Sequence, residues 1–119
     1  MKERLSLYKL RADKLERREK YFKDYLKFAR LIKKRAEKIF SKTRVLVFGS
    51  VIRGDYLPDS DIDILVISKR IPFDFSAQVR LKKKLVKNFS DSPFQIHLVS
   101  PEIYEKWYKN FIKDNYVEV

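Results

Sequence analysis

The sequence predicts an α/β (α+β) domain with its elements in the order helix, strand, strand, helix, strand, helix, and three observations carry that expectation. Residues 1–41 contain neither Gly nor Pro and repeat apolar residues at steps of three, four or seven, which is a helical period. After Ser41 the period changes, and three runs of strand length follow: VLVF at 45–48, IDILVI at 62–67 and FQIHLV at 94–99. Turn and cap residues separate these runs. A chain of 119 residues with 45% hydrophobic and 14% aromatic content is long enough for one unit with a modest core.

Taken in order, the N-terminal segment carries an apolar stripe at Leu5, Tyr8, Ala12, Leu15, Phe22, Leu26, Ala29, Ile32, Ala36 and Ile39. The segment is either one long helix or two; the polar stretch Glu16 to Lys20 interrupts the stripe and is where a break between two helices would fall. Residues 1–19 then form a helical extension able to pair with a second subunit or clasp a partner, and residues 20–119 form the domain proper. Val45 to Phe48 is a continuous apolar run closed by Gly49, as in a buried strand. Ser50 to Arg53 makes a brief helical turn that Gly54 can end in a left-handed conformation. Leu57, Pro58, Asp59 and Ser60 read as a turn before the second strand, which Ser68, Lys69 and Arg70 halt and Pro72 keeps from resuming.

Asp74 or Ser76 can cap the next helix, whose Leu81, Leu85 and Phe89 share a face while Lys82, Lys83, Lys84 and Lys87 cover the rest. The turn Ser90 to Pro93 leads into the third strand. Ser100 caps a last helix with Pro101 at its first position, and Ile103, Trp107 and Phe111 recur at four-residue spacing as core or as an interface stripe.

Charge is distributed unevenly. Residues 1–44 hold 17 Lys and Arg against 6 Asp and Glu, whereas residues 45–119 are nearly balanced at 11 against 10. The basic helix either attracts phosphate-rich partners such as RNA or a nucleotide, or its lysines simply solvate it. The absence of cysteine excludes disulfides and thiolate metal sites. With no secretory pattern and no apolar run of membrane-spanning length, a cytoplasmic protein with no membrane partner is expected.

Chemistry concentrates between residues 47 and 66. Side chains two apart on a strand point the same way, so Asp61 and Asp63 share one face while Ile62 and Ile64 share the other. With the isoleucines in the core, two carboxylates project together, and such a pair is relieved by a hard divalent cation with oxygen ligands. Gly49 and Ser50, at the end of a strand and the start of a helical turn, offer backbone N–H groups and a hydroxyl suited to phosphate.

Gly49-Ser50, Arg53-Gly54 and Ser60-Asp61-Ile62-Asp63-Ile64 together resemble the Gly-Ser…Arg-Gly…Ser-Asp-Ile-Asp pattern of the minimal nucleotidyltransferases in the DNA polymerase β superfamily. The motifs occupy residues 45–67, and the element order fits across 20–112. The resemblance implies a small mixed sheet flanked by helices, with Mg²⁺ and ATP or another nucleoside triphosphate bound. It implies transfer of a nucleoside monophosphate, AMP in the first instance, to a protein or RNA hydroxyl. Gly49 and Ser50 would then hold the triphosphate and Asp61 and Asp63 would bind the metal; Arg53 would border the phosphates or pair with Asp55 or Asp59, and Ser60 would contact a phosphate or cap the turn. Small members of this family often act as antitoxins to an all-helical HEPN-type partner.

One position departs from the family pattern. A third carboxylate is expected on the following strand, where this chain has Gln95 and His97 on one face. His97 aligns with that acid and joins Asp61 and Asp63 as a candidate catalytic residue, as a general base or as a poorer magnesium neighbour; the alternative is a hydrogen-bonded histidine on a half-covered strand. Glu102, just past the strand, is an acid that could reach in. The alternative to an enzyme is a degenerate module that binds nucleotide, RNA or protein without catalysis.

Overall fold

Strand alternation sorts the apolar side chains onto two faces of a sheet, and helices cover both. The computed structural model describes residues 2–119, with side chains from residue 6 onward, so Leu5 at the head of the stripe lies outside the described side chains. Helix α1 spans Lys2–Lys23 and α2 spans Tyr25–Phe40. The break falls at Asp24 and not within residues 16–20. Glu, Arg and Lys are good helix formers, so the polar stretch keeps its helical geometry, with Glu16, Arg17, Glu19 and Lys20 exposed and Arg18 turned inward. Asp is a poor one, and Asp24 leaves the helical region at φ −110°, ψ 30°. Helical hydrogen bonding nonetheless runs up to and on from the break, since Asp24 N–H donates to Lys20 O and Phe28 N–H donates to Asp24 O, at 3.0 and 3.3 Å.

Strand β1 is Arg44–Phe48, the short helix α3 is Ser50–Arg53, and β2 is Ile62–Ile67. Helix α4, Phe75–Leu85, is capped by Asp74, whose carboxylate accepts from Ala77 N–H at 3.1 Å. It ends at Leu85, ahead of the Ser90 to Pro93 turn, though Phe89 still packs on the core. Strand β3 is Phe94–Val99. The last helix, α5, is α-helical over Pro101–Ile103, widens to a π-helix over Tyr104–Tyr108, and is α-helical again over Lys109–Ile112. Ser100 Oγ accepts from Ile103 N–H at its start.

A fourth strand, β4 at Tyr116–Glu118, has too few residues to show a period and was not expected. It pairs antiparallel with β1, giving a mixed sheet of order β3-β2-β1-β4 in which β1 and β2 are antiparallel and β2 and β3 parallel.

Val45, Val47, Ile62, Ile64, Val66 and Ile96 pack on one face against Ala29, Ile32 and Ala36 of α2 and Leu85 of α4. Leu46, Phe48, Leu65 and Ile67 pack on the other against Tyr104 and Ile112 of α5. Of the four-spaced stripe on α5, Trp107 is 67% exposed and so belongs to the surface, not the core. Among the described residues, no helix is long and apolar enough to cross a membrane.

Candidate active site

The end of β1 is built around a glycine that no other residue could replace. Gly49 adopts φ +91°, a region L side chains rarely enter, and a Cβ there would collide with Oδ2 of Asp63. The chain then turns at once into α3, with Ile52 and Arg53 N–H both donating to Gly49 O. Gly54 closes the turn in the left-handed conformation expected for it, at φ +82°. Strand β2 runs back beside this turn, Asp63 lying opposite Phe48 in the register. Its even positions, Ile62 and Ile64, are fully buried, so Asp63 emerges on the α5 face. Asp61 sits immediately ahead of the strand.

The result is one cavity of about 390 Å³. Gly49, Ser50, Arg53, Ser60, Asp61 and Asp63 all line it. Sequence-adjacent motifs that are separated by a turn have thus been brought to a common wall. Within it, Arg53 Nε lies 3.4 Å from Asp55 Oδ2, and Ser60 Oγ accepts from Leu57 N–H at 2.8 Å, holding the turn that presents Asp61.

The two aspartates differ in their surroundings. Asp61 is 56% exposed and lies 3.8 Å from Nη2 of Arg18, a residue of α1 that also donates to Ser60 O at 2.6 Å. Arg18 is largely buried, and its Nε has no hydrogen-bond partner among the described residues. Asp63 is 27% exposed and receives a hydrogen bond from His97 Nε2 at 3.1 Å. A carboxylate only accepts, so Nε2 is the donor, and in the neutral imidazole Nδ1 then accepts from the Tyr108 hydroxyl, 3.3 Å away. Burial raises the Tyr108 pKa, and the charge of Asp63 raises it further, which keeps that hydroxyl protonated as a donor.

His97 accordingly lies behind Asp63 and not on the cavity wall. Gln95, paired with Asp63 in the register, is the β3 residue that reaches the cavity. Glu102 is drawn away by Lys106, 2.8 Å from it on the outer surface of α5. Arg18, Tyr108, Phe111 and Asn115 complete the neighbourhood and were not singled out for it from sequence. Arg18 resembles every other cation of a basic helix until α1 docks against a loop 42 residues away.

Residues 29–118 match the family model described as the nucleotidyltransferase domain. This chain belongs to that family. A relative from Methanocaldococcus jannaschii, provisionally named a protein adenylyltransferase, is 38% identical to this nucleotidyltransferase over 72 residues, 60% of this chain and 68% of the relative. A crystal structure from Sulfolobus solfataricus, provisionally described as a nucleotidyltransferase, aligns with a TM-score of 0.53 at 25% identity over 86% of this chain and 85% of that one. A second provisionally described nucleotidyltransferase structure aligns with a TM-score of 0.57 at 30% identity, over 74% of this chain and 92% of its own.

Members of this family use triphosphates with a divalent metal, and the donor set here fits such a pair. Among the described residues no cluster of three or more His, Cys, Asp or Glu is arranged to hold a metal ion by itself. Two carboxylates on one cavity wall suit Mg²⁺, which commonly takes one or two from protein and completes its shell with water and substrate phosphate oxygens.

Proposed function

We propose that this nucleotidyltransferase moves AMP from Mg·ATP to a hydroxyl of a protein. The supporting observation is the cavity that joins Asp61 and Asp63 to the Gly49-Ser50 turn. The name of the Methanocaldococcus jannaschii relative supports AMP as the group and protein as the acceptor. Gly49 and Ser50 receive the triphosphate, whose oxygens the Gly49 backbone can approach for want of a side chain. Arg53 and Ser60 border it, and Asp61 and Asp63 are the metal ligands. When bound, Mg²⁺ neutralises charge on the phosphates and orients the displacement.

His97 acts as a positioning residue: it fixes the rotamer of Asp63 and is itself fixed by Tyr108, as outer-shell partners of metal ligands commonly are. Arg18 performs the same service for the Ser60-Asp61 turn. In the reaction, the acceptor oxygen bonds to the α-phosphorus while the bond to the β-phosphate oxygen breaks. Pyrophosphate leaves and the hydroxyl proton is released to solvent. The acceptor of first choice is an all-helical HEPN-type protein, with this chain as its antitoxin, following the family resemblance.

Among the described residues the lining of this cavity holds Asp61 and Asp63 but no third carboxylate, with Gln95 in that part of the wall, which favours a second reading: a nucleotide-binding module that has lost transfer and works through its basic helix on RNA. Incubation with α-³²P-ATP, Mg²⁺ and a cell extract separates the two. Label on a discrete protein, lost in Asp61→Ala and Asp63→Ala, supports AMP transfer to protein; label on RNA moves the acceptor. No label, alongside salt-sensitive RNA binding, supports the module.

A further inference from the structure

Phosphate and metal chemistry account for only part of the cavity. Phe48, Phe111, Ile112 and Asn115 share its lining with Gly49 and the two aspartates. We infer that Phe111 and Asn115 form the subsite for the nucleobase, Phe111 as the stacking surface and Asn115 as the group that hydrogen-bonds the base edge. The inference rests on the reading of the cavity as a nucleoside triphosphate site.

Phe111 stands out against its neighbour on the same turn. Ile112 is 3% exposed, whereas Phe111 is 61% exposed at the lip of a polar cavity. Its ring is nonetheless held in place, 6.2 Å from Phe48 at 66° and 5.2 Å from Tyr108 at 45° between ring planes. Phe48 in turn contacts His97 and Tyr108, so the aromatic wall and the hydrogen-bond chain behind Asp63 form one assembly. A triphosphate has no use for a hydrocarbon surface, but the base attached to it does. Small-molecule sites pair an apolar wall with a few convergent polar groups, and every base has a face that can stack on an aromatic ring.

Asn115 supplies the polar edge. The chain leaves α5 through Lys113 at φ +52°, and Asn115 N–H donates back to Ile112 O at 3.0 Å, so the residue is placed by a defined turn and not by a free tail. Asn115 lines the cavity, is exposed, and its side-chain amide makes no hydrogen bond among the described residues. An amide presents a donor and an acceptor side by side, the complement of the amino group and ring nitrogen of adenine. Cytosine offers the same pair of amino group and ring nitrogen, and guanine and uracil offer a carbonyl and a ring N–H that the flipped amide meets, so Asn115 adds affinity for a base edge without choosing among bases.

The test is calorimetry on the full chain with two probes, Mg·ATP and Mg·tripolyphosphate, with far-UV circular dichroism to verify folding of each variant. The expected result is that Phe111→Ala weakens Mg·ATP about tenfold, within the range of base stacking on an aromatic side chain, and leaves Mg·tripolyphosphate unchanged. Phe111→Trp keeps ATP affinity, and Asn115→Ala weakens Mg·ATP several-fold while leaving Mg·tripolyphosphate unchanged; an unchanged Mg·ATP affinity in Asn115→Ala removes Asn115 from the subsite. Equal ATP affinity in the wild type and Phe111→Ala, with tripolyphosphate still bound, overturns the base subsite but spares the triphosphate reading; the exposed ring would then belong with Ile103 and Trp107 to a protein-docking stripe. A parallel loss of both probes also overturns it, by making the role of Phe111 structural. Failure of the wild type to bind either probe overturns the reading of the cavity itself, and the inference with it.

Discussion

The face of the sheet turned toward α2 and α4 is hydrocarbon from end to end, whereas the face turned toward α5 is apolar in its middle and polar at its ends, at Asp63, Gln95 and His97 beside the cavity and at the Arg44–Glu118 pair away from it. Both faces come from the same strands. Val45, Val47, Ile62, Ile64 and Val66 are fully buried against helices that cover them completely. On the other side Leu46 and Leu65 are equally buried, yet one step toward Gly49 the lining turns to carboxylate, imidazole and phenol. Alternation along a strand therefore lets one face hold the fold while the end of the other is free for chemistry, and the two jobs should separate under mutation.

Truncation on the apolar face should produce the largest change. Ile32→Ala, at a site of zero exposure in contact with the sheet, is expected to lower unfolding free energy by about 2–5 kcal/mol. Mg·ATP affinity of the remaining folded protein should be unchanged. Urea titration and calorimetry below the transition measure the two quantities, and a matching loss of affinity would break the separation of faces.

Asp63→Ala makes the reverse case. Transfer of label from α-³²P-ATP should fall by roughly 10²–10³-fold, the scale of losing a charge-stabilising group in a reaction centre, while the urea midpoint moves little. A variant that loses stability and keeps activity would show that Asp63 belongs to the fold.

His97→Ala sharpens the comparison, since His97 lies between the apolar part of its face and the cavity. Loss of its bond to Asp63 should weaken apparent Mg²⁺ affinity in the ATP complex by about 10–100-fold, the usual effect of removing an outer-shell partner. Tyr108→Phe should shift it less, in the same direction. Unaltered Mg²⁺ dependence in both would assign the pair to packing alone.

The smallest effect is expected at the far edge, where Arg44 donates to both oxygens of Glu118 at 3.0 and 2.8 Å. That hydrogen bonding holds the Glu118 carboxyl below its ordinary value and raises the Arg44 guanidinium. A carboxyl with a lowered folded-state pKa contributes stability above its unfolded pKa, near 4.3, and loses it as pH falls through the folded value. Both side chains are more than a third exposed, so solvent screening limits the pair to less than about 1 kcal/mol. Glu118→Gln should lower stability by that small amount at pH 7 and by nothing once the carboxyl is protonated, as urea melts at pH 7 and below pH 3 would report.

Much of the site was legible because its parts are local. Gly49-Ser50 and Asp61-Ile62-Asp63 lie within fifteen residues, joined by a turn that Pro58 and Ser60 announce. The three longer strands and the caps at Asp74 and Ser100 were legible for the same reason: each depends on a period or on a bond spanning three residues. The break at Asp24 was misread because interruption of an apolar stripe reports a change of exposure, and helical backbone tolerates that change. Strand β4 was missed because three residues carry no period, and its pairing with β1 spans some seventy positions.

The chain by itself determined the alternation that buries Ile62 and Ile64 and turns Asp63 outward, the glycine that permits the tight approach of β1 to that carboxylate, and the surplus of cations on the N-terminal helix. Tertiary structure alone decided that His97 stands behind Asp63 with Tyr108 on its other nitrogen, that Gln95 takes the place on the cavity wall, and that Arg18 reaches the Ser60-Asp61 turn. The division follows from distance along the chain: periodicity and turn chemistry act between near neighbours, whereas strand register and helix docking select which remote side chains meet.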